Sequence, residues 1–541
     1  MNTTSKTKIL PAACLVACLA LAACGGSEPV AKPFKRSNYN RIVIGNSVEP
    51  GTLDPQKSGD LAAGAIIRQM MDGLVGTDGE GKTVPALAEK WESDGDKVWT
   101  FHLRDAKWSN GDPITADDFV YSLRRLADPE TGAPYAGYLA DGKVINAEEV
   151  LTGKAKPETL GIRALDKKNL QFTLSMPVPY FPDMLVQPWI YPVHKATVEK
   201  YGDKWTQPEN YVVSGAYKLK EWRVNSHILL EKNPAYYDKA SVSVPEVMFL
   251  PAPNEFNRYR AGEADVTYGI PSDQIKTADK EFPGQVRKTT LLCTFYLEPN
   301  NKAFPFDNPK VRRALNMLAD RTIVTKVSGR GDVPAFQLTP PEMQGITQTA
   351  PDWKDWSKEK KTAEAMRLLN EAGFNESNPL TFEVLYSTNE TSRKQITALQ
   401  SIWKTAVPFI QPNLINQEWK TYLDTRQSGN FAIALAGWCS DYNEPSGMLN
   451  TFRSNSPNNR FFYHNPVFDQ TLDATLAAGA TPEERAKLYT EAEAMLQRDS
   501  VFIPLYHQVA VQLVKPDIEG FSTHDPLRNY TVKHWSIAPK K

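Results

Sequence analysis

The chain has 541 residues, 41% of them hydrophobic and 23% charged, which gives enough length for two or three domains and enough apolar residues to bury a core. Its 62 Lys and Arg balance 63 Asp and Glu, for a formal net charge of −1. No basic block stands out, and this argues against nucleic acid as a partner, because that role needs concentrated positive charge.

The first segment, "MNTTSKTKILPAACLVACLALAAC", places Lys6 and Lys8 ahead of a short apolar run from Ile9 to Ala23. The run is too short for a comfortable membrane span and has the form of a signal peptide, residues 1–23. It ends in Leu21-Ala22-Ala23-Cys24, which resembles the lipobox of bacterial lipoproteins, where cleavage precedes a cysteine that takes the lipid. Ordinary secretion with an incidental Cys24 is the alternative. Gly25-Gly26-Ser27 opens a flexible tether over 24–37, as a lipid-anchored domain requires. No later run reaches the roughly 18 apolar residues of a spanning helix, so the mature chain is expected to be exported, soluble and tethered. Cys14 and Cys18 leave with the signal, which leaves Cys293 and Cys439 as a disulfide candidate in an oxidising compartment.

Further along, "RIVIGN" (41–46) reads as a strand and "KVWTFHLR" (97–104) alternates like a half-buried one. Thr115 with Asp118 forms a capping-box pattern ahead of a helix. "NLQFTLS" is a strand, "AYKLKEWRVNSHILLEK" a hairpin, and "FNRYRAGEADVTYGIP" a short helix followed by a strand. In the second half, "LTFEVLYS" (380–387) is a strand, "SRKQITALQSIWKTA" a helix, "NLINQEW" a strand, "KTYLDTRQSG" a short helix and "FAIALAGW" a strand. Strands alternating with helices imply an α/β fold with a parallel sheet and right-handed crossovers. Ligands gather beyond the carboxyl ends of such strands, and "GWCSDYNEPS" (437–446) follows one of them directly.

That stretch sets Cys439 two residues before Asp441, and the pair is open to four readings: catalytic nucleophile, metal half-site, disulfide anchor or ligand clamp. Zincin, nucleophile-elbow and phosphate-loop motifs are all missing from the sequence. The seven histidines are scattered without metal-ligand spacing, so His464 and His507 read as surface or core residues. Neither metal nor cofactor is implied. A Cys439-dependent hydrolase would need a free thiol and a base, and export works against the free thiol.

Several segments together resemble the peptide-binding class of extracellular solute-binding proteins of ABC importers. They are "LAEKWESDGDKVWTFHLRDAKWSNGDPITADDFVYSLRRLADP" (87–129), "PVPYF", "DKWTQPENYVVSGAYKL", "NRYRAGEADVTY", "NQEWKTYLDTR" and "GWCSDYNEP", in family order from about Arg41 to Trp535. The resemblance implies a three-lobed type II periplasmic-binding-protein fold: two hinged α/β lobes plus an extra lobe. Lobe I would combine 38–71, 195–292 and 509–541, the extra lobe would be 72–194, and lobe II 293–508. It further implies a monomer in the periplasm, attached to the membrane only through its lipid, that passes short peptides to ABC-transporter permease subunits.

Residue by residue, the resemblance makes Asp441 the partner of the peptide α-ammonium and pairs Cys293 with Cys439. Glu298 becomes an acidic cleft residue, and Tyr135, Tyr268, Tyr296 and Trp419 become aromatic cleft positions. Gly437, Trp438 and Cys439 join them from the same motif. Backbone recognition of an added strand would explain a broad choice of peptides. Arg426 matches one carboxylate-binding arginine, but Leu435 stands where a second is expected, and Ser328 and Ser392 replace a lysine and a histidine. Arg393, Lys394, Arg330 and Arg460 are the available substitutes. A murein tripeptide, with its additional carboxylate, is the alternative ligand.

Overall fold

The computed structural model describes residues 38–539 except 252, 253 and 478. The signal segment 1–23, Cys24 and the tether 24–37 lie outside the described residues. In the first half the elements that position the site are β1 (Arg41–Gly45), α1 (Leu61–Met70), β2 (Ala88–Asp94), β3 (Val98–Leu103), α2 (Ala116–Ala127), β4 (Ile162–Ala164), β5 (Asn169–Thr173), β6 (Tyr217–Arg223), β7 (His227–Lys232), β8 (Glu246–Leu250) and α3 (Glu255–Ala261). In the second half they are β9 (Val286–Pro299), β10 (Val333–Pro334), β11 (Leu380–Ser387), α4 (Glu390–Ala406), β12 (Ile410–Gln417), α5 (Trp419–Ser428), β13 (Ile433–Cys439) and β14 (Ile503–Leu513).

Three larger sheets result. The first has the order β1-β8-β7-β6, and its β6–β7 hairpin turns at Asn225, whose φ of 59° is one that asparagine tolerates better than most residues. The second, β2-β3-β5-β4, is antiparallel throughout. Alternation along β3 buries Trp99, Phe101 and Leu103, and Phe101 meets Phe172 of β5 edge to face at 5.7 Å. α2 packs over this sheet, its start fixed by the Thr115 amide donating to the Asp118 carboxylate at 2.8 Å. One hydrophobic core runs unbroken from Ile42 and Phe249 of the first sheet to Phe101 and Phe172 of the second.

The third sheet has the order β10-β14-β9-β13-β11-β12. β11 pairs in parallel with β12 and β13, whereas β9 is antiparallel to both β13 and β14. The sheet is therefore mixed, and the parallel sheet expected from alternating helices is corrected to its β11, β12 and β13 portion. β9 and β14 are long because they run between two cores. Val509, Val511 and Leu513 pack with Phe256 and Tyr259 of α3, while Leu297, Ile503 and Leu505 pack with Leu380 and Trp403. Their ladder breaks between Thr290↔Val509 and Thr294↔His507.

Two further expectations are corrected. The strand read from "NLINQEW" ends at Gln417, because the Glu418 side chain caps α5 by accepting the Lys420 amide and Trp419 becomes its first residue. The strand expected after α3 reduces to Val266, which bridges Ile44 and Val514.

Candidate functional site

The site begins at β13. Its ladder with β9 runs in register from Ile433↔Pro299 to Cys439↔Cys293, but its ladder with β11 covers only Ile433 and Ala434. From Leu435 to Cys439 the second edge of β13 therefore carries no strand among the described residues. Such an edge exposes main-chain donors and acceptors to whatever extended chain arrives. Gly437 lies on it opposite Phe295, and a Cβ there would stand 2.8 Å from that ring, so only glycine lets the two strands approach. The Trp438 indole donates to the Gly447 carbonyl at 2.8 Å, which holds the following loop back against the strand. Cys439 is bonded to Cys293 directly across the ladder and has no free thiol, which removes the hydrolase alternative built on it.

Asp441 lies two residues beyond the end of this edge. Ser440 extends the ladder by donating to the Leu292 carbonyl at 2.8 Å, and Gln187 donates to the Asp441 main-chain oxygen. The Asp441 carboxylate itself accepts no hydrogen bond and has no cation within ion-pair distance among the described residues. Burial pushes its pKa up to about 6, with the Asp141 carboxylate adding to the rise and Arg68 opposing it. Two tyrosines lie near it. Tyr135 stacks on Trp189 at 3.8 Å, Tyr138 meets the same indole edge-on at 5.2 Å, and both hydroxyls are raised by burial and by the Asp441 charge. Behind it, Arg68 donates to Gln187 at 2.9 Å, which links the guanidinium to the Asp441 backbone. An unpartnered, desolvated carboxylate near two tyrosine hydroxyls is chemically suited to a cation.

The other sequence-selected charges behave differently. Arg426 donates to Glu298 through Nε at 3.0 Å and Nη2 at 2.7 Å, and the two side chains are 7% and 1% exposed. Burial alone would lower the guanidinium pKa, but Glu298 more than offsets it and the pKa is raised. Arg426 lies over the Tyr422 ring, Tyr422 donates to the Leu435 carbonyl at 2.6 Å, and the exposed Trp419 stacks on Tyr422 at 5.6 Å. Tyr296 is buried against Phe461 and Phe502. Tyr268 sits apart from this group, under the Arg528 guanidinium at 4.7 Å. The structure thus brings Asp441, Tyr135, Gly437, Trp438 and Cys439 to one end of the β13 edge. Glu298, Arg426, Tyr296 and Trp419 lie at the other.

Leu435 is buried in an apolar cluster with Leu297 and Ile433. Of the four substitute cations, Arg330 is paired with Asp332 at 2.7 Å and Lys394 with Glu390 at 2.8 Å. Arg460 bonds only Gln427, at 3.0 Å, and its pKa is lowered by burial and then by Arg426. Arg393 has no side-chain hydrogen bond or ion pair among the described residues and lines a 380 Å³ cavity with Glu390, Tyr386, Thr388 and Asn416 at the carboxyl ends of β11 and β12. Among the described residues no three His, Cys, Asp or Glu side chains converge as a metal site requires. His507 is buried with Nδ1 2.8 Å from Thr294 Oγ1, and burial lowers its pKa to about 3, so it stays neutral. Sequence reading missed Gln187, Trp189, Tyr138 and Arg68. The proline-flanked aromatic segment "QPWIYP" was the one available hint, since an indole in such a loop needs something to pack against.

Residues 82–460 match the family model described as bacterial extracellular solute-binding proteins, family 5 Middle. The chain is 45% identical over 543 residues to the periplasmic oligopeptide-binding protein OppA of Salmonella typhimurium, covering 99% of each. Among solved structures it resembles the periplasmic murein tripeptide binding protein MppA in its unliganded open form, with TM-score 0.83 and 36% identity over 93% of this chain and 98% of that one. It also resembles Haemophilus influenzae OppA in complex with the peptide RPPGFSPFR, with TM-score 0.77 and 41% identity over 93% of this chain and 100% of that one. The chain belongs to the family 5 bacterial extracellular solute-binding proteins.

Proposed function

We propose that this protein captures short peptides in the periplasm and delivers them to the permease of an ABC importer. One observation carries the reading: among the described residues the edge of β13 carries no strand from Leu435, whose carbonyl Tyr422 caps, to Cys439, and it leads to the unpartnered carboxylate of Asp441. An extended peptide that adds as a strand satisfies its main chain on the edge, whatever its side chains, and presents its α-ammonium to Asp441. Glu298, Arg426, Tyr296 and Trp419 line the far end, and Arg393 and Arg460 are the cations left to meet the peptide carboxylate.

Of the division into lobe I (38–71, 195–292, 509–541), extra lobe (72–194) and lobe II (293–508), the boundary between lobes I and II is supported by the ladder break on β9 and β14, which spans 292/293 and 508/509, whereas lobe I and the extra lobe share one hydrophobic core. A hinge there lets the two cores close over the ligand. Cys24 would carry the lipid that holds the monomer at the membrane, and a Cys24→Ser variant recovered entirely in the soluble periplasmic fraction is the expected result.

Mass spectrometry of the ligand that co-purifies with the protein tests the reading, and short peptides with free amino ends are expected. Recovery of a non-peptide solute would overturn it. Murein tripeptide is a second reading favoured by the likeness to MppA. Because Arg426 is already committed to Glu298, the additional carboxylate of that ligand would fall to Arg393 or Arg460.

A further inference from the structure

Glu444 belongs to the same "DYNEPS" stretch as Asp441, yet the clamp does not use it. It is 8% exposed. Its Oε2 accepts the Ser446 amide at 2.7 Å, and no cation stands within ion-pair distance of it among the described residues. The Tyr489 hydroxyl of helix Pro482–Arg498 lies beside it, and the Tyr442 hydroxyl is 3.1 Å from Ser446 Oγ. All of these groups belong to 293–508. Facing them from 72–194 are Tyr180, whose ring stacks on Tyr442 at 5.9 Å, and Asp183, which is bonded by Thr83 and adds its negative charge to the field at Glu444. The nearby guanidiniums are engaged elsewhere: Arg453 bonds Asn450 and Asp473, and Arg485 bonds the Ala480 carbonyl.

The contact is a seam between two units. Among the described residues, Tyr442 and Leu476 are the only ones from 293–508 in the hydrophobic core that otherwise holds 38–292 and 509–541. Gln187 bonds the Asp441 main chain on the same seam. A carboxylate shut between a tyrosine stack and a second acid is buried at a cost that protonation relieves. Burial raises the Glu444 pKa to about 7 against the opposing pull of Ser446 and Tyr489, with Asp183 adding to the rise. Parting the seam would return water to Glu444 and bring its pKa back towards the ordinary 4.5. We propose that Glu444 is a proton-operated latch between 72–194 and 293–508: neutral, it lets the Tyr180–Tyr442 seam stay shut, and ionised, it forces the seam open. The motion rests on the hinge reading above, but the latch does not depend on which ligand the cleft takes. Because the shut-state pKa exceeds the open-state value, the latch is fully made below about pH 4.5 and is lost as pH rises through 7. Its sense opposes that of Asp441, whose pairing with a cation is lost as pH falls through 6. The two acids therefore bracket a window of about pH 6–7 in which the cleft both closes and holds a cation.

The test reads the closed-to-open ratio of the ligand-free mature protein by single-molecule energy transfer between dyes on exposed positions of 72–194 and 293–508. D441N serves as the background, because Asp441 titrates at the same seam. In D441N the ratio should fall by about tenfold or more between pH 5.5 and 8, and D441N/E444Q should keep one ratio throughout. D441N/Y180L leaves the acid in place but removes the stacked ring, so it should flatten the response as well, and it guards against E444Q simply failing to fold. A level ratio in D441N would overturn the latch, as would an undiminished response in D441N/E444Q or D441N/Y180L. No peptide enters the measurement, so a failed latch leaves the peptide reading standing, and a protein that bound no peptide would still show the response.

Discussion

Replacing Asp441 by Asn tests the clamp with little change in shape. In the free protein this carboxylate already bears the cost of its surroundings: a rise from 3.8 to about 6 corresponds to about 3 kcal/mol of desolvation and repulsion. An ammonium about 4 Å away at an effective dielectric of 20 returns about 4 kcal/mol of attraction, offset by its own loss of hydration. Pairs of this kind typically cost about 2–5 kcal/mol when one partner is removed, or roughly thirtyfold to several thousandfold in Kd. Calorimetry on a short peptide and its N-acetylated form, with wild type and D441N, makes a double-mutant cycle. Acetylation and D441N should each weaken binding by that factor, and once one change is made the other should add little. D441N should also raise the Tm of the ligand-free protein, because it removes an unpaired buried charge. Equal affinity for the free and acetylated peptides in wild type, or additive losses in the cycle, would refute the reasoning.

The pH dependence has a defined sign. Because the ligand pairs with ionised Asp441, affinity should be level above about pH 7 and fall as pH drops through about 6, a fall that D441N should lack in titrations from pH 8 to 5. Stability of the ligand-free protein moves the other way. With a folded pKa above the unfolded 3.8, the Asp441 contribution is fully present below pH 3.8 and is lost as pH rises through 6. E298Q should destabilise by about 3–5 kcal/mol in urea unfolding, because Arg426 is left buried and unpaired, and E298Q/R426M should recover most of that. G437A should cost about 1–3 kcal/mol through its clash with Phe295, and F295L should relieve it. Five steps of strand from Cys439 to Ala434 span about 16 Å, which sets Arg426 and Arg460 about that far along from the clamp. Amidating the carboxyl end should therefore weaken peptides of four or five residues most in a length series, and R460A should abolish the difference.

Features set by neighbours in the chain were legible. Strand 380–387 was read to the residue because its alternation is local, and the Thr115–Asp118 cap because it is a four-residue contact. The mixed direction of the third sheet was not, since β9 and β14 are antiparallel on account of running between two cores rather than through any pattern of their own. Trp419 looked like strand because it continues an apolar rhythm, and only the capping side chain of Glu418 decides otherwise. At the site, Asp441 was legible through its motif, but its lack of any partner was not. Nor was the pairing of Arg426 with Glu298, 128 residues away, which changes the meaning of both. Arg68 and Gln187 carry no sequence signal because their role arises from segments 254 residues apart meeting at Asp441.

Electrostatic satisfaction is uneven across the fold, and the unevenness follows function. Charges that hold the framework together are matched: Arg125 is bidentate on Asp54, Lys533 bonds Asp72, Arg426 bonds Glu298 and Arg330 bonds Asp332. Among the described residues, two charges have no side-chain hydrogen bond or ion pair: Asp441 at the end of an open strand edge, and Arg393 near Glu390 beside a cavity at the carboxyl ends of β11 and β12. A protein selected for stability alone would pair or neutralise both. On the proposed function, a zwitterionic extended chain would supply an opposite charge at each end and a row of main-chain groups between. The carboxyl end is the freer of the two, because its cations lie on long side chains at more than one distance along the edge, whereas Asp441 is fixed by the disulfide two residues before it. On the proposed function, peptides of different lengths would share one amino-end register, with the variation absorbed at the far end.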